Sequence, residues 1–101
     1  MDKNKNEALE AATFRRLLKH LSIRTDVQNL DLMNLSGFCR NCLSRWYAEE
    51  AKNIGMQISK DESRELIYGM PYNSWKEKFQ IKRSETEISK VMKKNDESNS
   101  Y

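Results

Sequence analysis

Two cysteines three residues apart, in Phe38-Cys39-Arg40-Asn41-Cys42, are the residues best suited to chemistry, and the 101-residue chain has no others of their type. At positions i and i+3 of a helix two side chains share a face. Both sulfurs can then reach one ion at about 2.3 Å, the zinc–thiolate distance. A helix N-terminus also favours thiolate, the form that ligates metals and attacks disulfides. The single histidine, His20, lies one segment upstream, and an antiparallel helix pairing would bring it towards the sulfurs. Cys39, Cys42 and His20 would then form a three-ligand site for zinc or iron. Its fourth position would stay open to water or substrate, or be closed by Asp31 or a second subunit. Two subunits sharing their cysteine pairs would instead give a four-thiolate centre.

The same pair admits two other roles. Cysteine is among the most buried residue types and often packs as a small hydrophobe. Here both sulfurs point the same way as Leu43 and Trp46 on a helical wheel. His20 is then a hydrogen-bonded structural residue, and the chain is a helical interaction module whose apolar second helix and Arg40/Asn41 meet a protein partner. The third role is dithiol redox, with Cys39 as nucleophile and Cys42 resolving, although the βαβ context of a thioredoxin-type motif is missing. No local motif supports a Ser-His-Asp or Cys-His hydrolase. Gly37, Gly55 and Gly69 are too far apart for a phosphate loop. The sequence names no reaction.

The elements that must position these residues are helical. Glu7 to Arg24 carries apolar residues at 11, 14, 17, 18 and 21, the i, i+3, i+4, i+7 stripe of an amphipathic helix. Thr25-Asp26-Val27-Gln28 reads as a capping box or Asp cap opening a short helix to about Leu35, closed at Gly37. Val27, Leu30, Leu32, Met33 and Leu35 point almost all round that helix, as in one buried on several sides. Asp31 and Asn34 then become polar groups in a poorly solvated place that need partners. A third helix runs from about Phe38 to Ile54 with Gly55 after it. Ser59-Lys60-Asp61-Glu62 is a capping box for a fourth, ending near Tyr68-Gly69. A turn at Met70-Pro71-Tyr72 precedes a fifth from Ser74, anchored by Trp75 and Phe79. A charged helix over 84–94 is expected in the tail, with a frayed end.

Composition sets the outer limits. With 38% hydrophobic and 33% charged residues, 3 Gly and 1 Pro, collagen-like and low-complexity chains are excluded and a turn-rich β-sandwich is disfavoured. Lys and Arg exceed Asp and Glu by a net +3, but no run of like charge forms. Nucleic acid is therefore not an expected partner, since phosphate neutralisation needs local charge density. Apolar runs are too short to span a bilayer. The mixed-charge start MDKNKNEALEAA has no apolar h-region, so a cytoplasmic address is expected.

Two long strings, TDVQNLDLMNLSGFCRNCLSRWY over 25–47 and ELIYGMPYNSWKEKFQ over 65–80, closely resemble a family of short bacterial proteins, domain of unknown function family 1244. The resemblance covers roughly residues 8–80. It implies a small all-α fold with no established activity. It also implies a characteristic polar set at His20, Asp26, Asn29, Asp31, Asn34, Cys39, Arg40, Asn41 and Cys42, more than core packing needs. The tail after Gln80 departs from that pattern.

These readings define an all-α bundle of about five helices, mostly antiparallel, over residues 6–80, with a charged tail over 81–101. A homodimer through the second helix or the Trp46/Tyr47 side is expected. Cys39 and Cys42 should be reduced and at least partly buried at the start of the third helix, because relaxed disulfide geometry is not readily reached at i, i+3 within a helix. With a metal bound, His20 should lie within ligand reach and be held by Asp31; Asn34, Arg40 and Asn41 are further candidates for supporting a ligand or partner.

Overall fold

Asp2 starts the first helix four residues earlier than the apolar stripe requires, because its carboxylate accepts from the Lys5 N–H at 2.8 Å. In the computed structural model, which describes residues 2–98, α1 runs Lys3–Ile23 and ends at Arg24, whose N–H returns to the His20 carbonyl. Five more helices follow: α2 Asn29–Ser36, α3 Arg40–Asn53, α4 Lys60–Tyr68, α5 Tyr72–Phe79 and α6 Glu85–Ser98. No strand occurs among the described residues. The all-α class holds: five helices lie before residue 80, where about five are expected, and the sixth falls on the charged helix expected in the tail. Positions 99–101 of the expected tail lie outside the described residues.

Local chemistry explains the boundaries. The Ser59 box forms as read: Glu62 N–H donates to Ser59 Oγ, and Ser59 Oγ donates back to the Glu62 carboxylate. Gly37 and Gly69 take the left-handed conformation that ends α2 and α4. The expected box at Thr25–Gln28 does not form. Asp26 is held instead by the Arg24 guanidinium at 3.0 and 2.9 Å. Gln28 is buried and spends its amide on the far end of the chain, donating to the Phe79 carbonyl and accepting from the Ile81 N–H. α2 therefore begins at Asn29 without a side-chain cap.

The core gathers Leu21, Leu43, Ile67, Tyr68 and Trp75, with Phe14, Leu18, Leu32, Phe38, Trp46, Met70, Tyr72 and Phe79 around them. Tyr68 sits between Tyr72 and Trp75, each ring centroid 5.2 Å away, within the range of favourable aromatic pairing. α4 is central, packing on α3, α5 and the C-terminal part of α1. α6 lies on α2. Asn95 is buried and donates to the Met33 carbonyl, Lys94 reaches the Asn34 carbonyl, and Arg83 pairs with Asp31. The tail thus supplies cover for α2 from within the chain.

Candidate functional site

Gly37 turns the chain sharply out of α2, its N–H still bonded to the Met33 carbonyl at 3.0 Å. Phe38 and Cys39 follow in non-helical conformation, and Cys39 (φ −140°, ψ −176°) becomes the N-cap of α3. The Cys39 carbonyl accepts the first helical bonds from Cys42 and Leu43 N–H. This places Cys42 one turn in, and the two sulfurs meet 3.9 Å apart. Both are free thiols, Cys39 buried and Cys42 half-buried. Met33, on the last turn of α2, brings its Sδ to 3.8 Å from Cys42 Sγ.

These sulfurs line a partly open cavity of about 620 Å³. Met92 of α6 contributes a further thioether, Asn29, Asn41, Ser44 and Ser63 contribute polar groups, and Arg45, Lys60 and Arg64 bring positive charge. Burial pushes the Cys39 thiol up. The Cys42 and Asn41 N–H groups pull the other way, and the adjacent Cys42 sulfur adds to the rise. This opposes the depressed value that a redox nucleophile needs.

Arg40 and Asn41, between the cysteines, face structural tasks. Arg40 is 2% exposed. It donates through Nη1 to the Val27 carbonyl and Asn29 Oδ1, and through Nη2 to the Leu21 and Arg24 carbonyls, at 2.8–3.2 Å. It also stacks on Trp75, 4.9 Å from the ring centroid. The carbonyls at the end of α1 form the negative pole of that helix, where a cation is favourable. Arg40 so binds the end of α1, the turn after it and α2 to the start of α3. Asn41 Oδ1 accepts from Tyr68 OH at 2.7 Å, and Asn29 Nδ2 donates to the same hydroxyl at 2.9 Å. Burial holds the Tyr68 phenol above its ordinary range. Among the described residues no buried side-chain nitrogen or oxygen lacks a partner. Much of the polar set implied by the resemblance is thereby spent on the fold.

His20 is placed differently from the three-ligand reading. Its neighbour Leu21 is the buried residue of α1, and a rotation of about 100° per residue leaves the imidazole exposed. Among the described residues no group of three or more His, Cys, Asp or Glu side chains is placed to hold a metal ion. The structure thus brings Cys39 and Cys42 together without gathering His20 into such a group. Asp31 and Asn34, read as poorly solvated, are both exposed. The Asp31 carboxylate is taken by Arg83 at 3.0 Å, in place of the expected bond to His20. The residue that sequence reasoning missed is Met33. It registers there only as an apolar position, and its thioether matters only because the Gly37 turn folds α2 back beside Cys42.

A small all-α protein with a sulfur-lined cleft at one helix–turn–helix junction is the class that fold and site define. The chain belongs to the family described as protein of unknown function (DUF1244), whose match spans residues 27–93. That span contains Met33, Cys39, Arg40, Asn41, Cys42 and Met92, and it continues past Gln80 into α6, whereas His20 lies before it. No curated protein matches the chain.

Proposed function

We propose that this chain is a metal-carrying protein that holds a thiophilic ion between the Cys39 and Cys42 thiolates at the base of the cleft. The observation that carries this reading is the 3.9 Å separation of two free sulfurs. With bonds of about 2.3 Å, two sulfurs on one ion at an angle near 115° stand about that far apart. Zinc or iron, the ions expected from sequence, would fill their remaining positions with water or with groups from a second chain. A reducing cytoplasm would keep both thiols available. Cadmium titration of the reduced protein should produce a sulfur-to-metal charge-transfer band that saturates at one equivalent and is lost in Cys42→Ser. No band in the native protein returns the cysteines to the core.

A second reading, a helical module that self-associates, has its own observation. Leu35 at the end of α2 is 87% exposed and Ile23 at the end of α1 is 68% exposed. Side chains of this size gain by being covered. Light scattering should then give twice the 12.0 kDa chain mass, reverting towards it in Leu35→Ser; a monomeric native protein at micromolar concentration removes this reading. No helix among the described residues is long and apolar enough to cross a membrane.

A further inference from the structure

Of the two thioethers that line the cleft, Met33 and Met92, Met33 is the one that touches the cysteine pair. Cys42 Sγ stands 3.9 Å from Cys39 Sγ and 3.8 Å from Met33 Sδ. For metal–sulfur bonds of about 2.3 Å, those separations correspond to angles of roughly 110–120° at a common ion. Both angles lie in the range that three- and four-coordinate sulfur sites share. Two thiolates serve zinc and monovalent copper alike, but a neutral thioether is a soft ligand that suits Cu(I) better than the borderline zinc ion.

We propose that Met33, Cys39 and Cys42 form a three-sulfur site for Cu(I). The inference rests on the metal-carrying reading and adds to it the third ligand and the identity of the ion. Binding breaks two S–H bonds and forms two Cu–thiolate bonds and one Cu–thioether bond. Two protons pass to solvent and copper stays monovalent, so no oxidant or reductant is needed.

Three features of the surroundings support this assignment. The Met33 carbonyl is pinned from two directions, by Gly37 N–H and Asn95 Nδ2, each at 3.0 Å, so the backbone from which the thioether reaches Cys42 is held by the fold. Cys39 is buried and Met33 and Cys42 half-buried, which limits access of water to the ion. Two thiolates on Cu(I) leave one net negative charge. Arg45, Lys60 and Arg64 line the cavity, and the buried Arg40 guanidinium, whose hydrogen-bond acceptors are neutral oxygens, adjoins Cys39 in the chain. These cations favour an anionic complex, Arg40 through its electrostatic interaction with Cys39, while Arg45 also pairs with Glu49.

The test is anaerobic titration of the reduced full chain with Cu(I) against a chromogenic chelator, with X-ray absorption at the copper edge. The native protein should bind one Cu(I) with three sulfur scatterers. Met33→Leu, which keeps side-chain volume, should show two scatterers and lose affinity by at least about tenfold, the scale on which even outer partners of a metal act. Met56→Leu, on the loop after α3, should match the native protein, and far-UV circular dichroism should show all variants folded. If Met33→Leu binds Cu(I) as tightly as the native chain and with the same sulfur count, the third ligand is wrong while the two-thiolate reading stands. If the native protein takes neither Cu(I) nor cadmium, both fall together.

Discussion

Arg40 is the residue on which the junction depends, and arginine is required for geometric reasons. Its planar fork serves four acceptors on three segments while its face lies on Trp75; a lysine ammonium has three donors and no such plane. Arg40→Ala would strand the carbonyls of Leu21 and Val27, at about 1–3 kcal/mol for each left buried and unpaired, while the Arg24 carbonyl would keep the Val27 N–H. Urea denaturation should show a loss of about 3 kcal/mol or more, with Arg40→Lys recovering only part of it. A loss under about 1 kcal/mol, the size of an ordinary substitution, would mean that Arg40 does not hold the junction. The two cysteines should separate as clearly by reactivity. Cys39 is 8% exposed and its thiol is pushed up by burial, whereas Cys42 opens to the cleft. Brief alkylation near neutral pH, read by peptide mass spectrometry, should mark Cys42 first and Cys39 chiefly after unfolding. Faster labelling of Cys39 would restore it as a redox nucleophile.

At the scale of elements, Gly37 and Gly55 form a natural pair of probes. Both are left-handed, at φ +81° and +82°, but a Cβ at Gly37 would come within 3.0 Å of Asn95 Oδ1, while one at Gly55 meets nothing within 4 Å. Alanine at either position costs about 1–2 kcal/mol for the backbone. The Gly37→Ala variant should lose more stability than Gly55→Ala, and amide hydrogen exchange should quicken in α6 of the former alone. Equal losses would show that Asn95 yields freely. These elements also show what the sequence makes legible. Helix ends governed by local chemistry, such as Ser59-x-x-Glu62, Gly37 and Gly69, are readable because partner and cap lie within a few residues. The stripe ending in Leu21 is readable from its period. Gln28 misleads, since its partners at Phe79 and Ile81 are some fifty residues away. The cysteine pair is visible as a motif, but its third sulfur depends on how α2 folds back. His20 fails because one residue of rotation decides whether it faces the core. α6 is visible as a helix, yet its packing rests on Val91 and Asn95, too small an apolar signal to separate from a solvated tail.

Over the whole molecule, the two ends of the chain are held very differently. The C-terminal helix is attached partly by charge: Arg83 bridges Asp31 of α2 and Glu87 of α6. The Arg83 hydrogen bond holds the Glu87 carboxyl below its ordinary 4.5. A lowered folded-state value means that this contribution is complete above about 4.5 and is lost as pH falls through the depressed value. Acidification should therefore loosen α6, read as faster hydrogen exchange over 85–95, and Glu87→Gln should remove most of that pH dependence; unchanged dependence in the variant would assign it to other carboxylates. The N-terminal helix is attached at one end only. Residues 2–13 are all exposed, and Leu21 is the one buried position in α1. Its 21 residues span about 31 Å at 1.5 Å each. The molecule measures 48 × 31 × 25 Å with a radius of gyration of 15.1 Å, against about 13 Å for a globule of 100 residues. The first turns of α1 therefore extend from the body and contribute little to its stability. Removing residues 2–10 should change the unfolding free energy by no more than about 0.5 kcal/mol, the range of surface changes that touch no packed group. Cadmium uptake should be unaffected, because neither sulfur of the pair depends on those turns. A loss of several kcal/mol would mean that the exposed half of α1 is covered in solution, and concentration-dependent unfolding of the full chain would then identify a second copy as the cover.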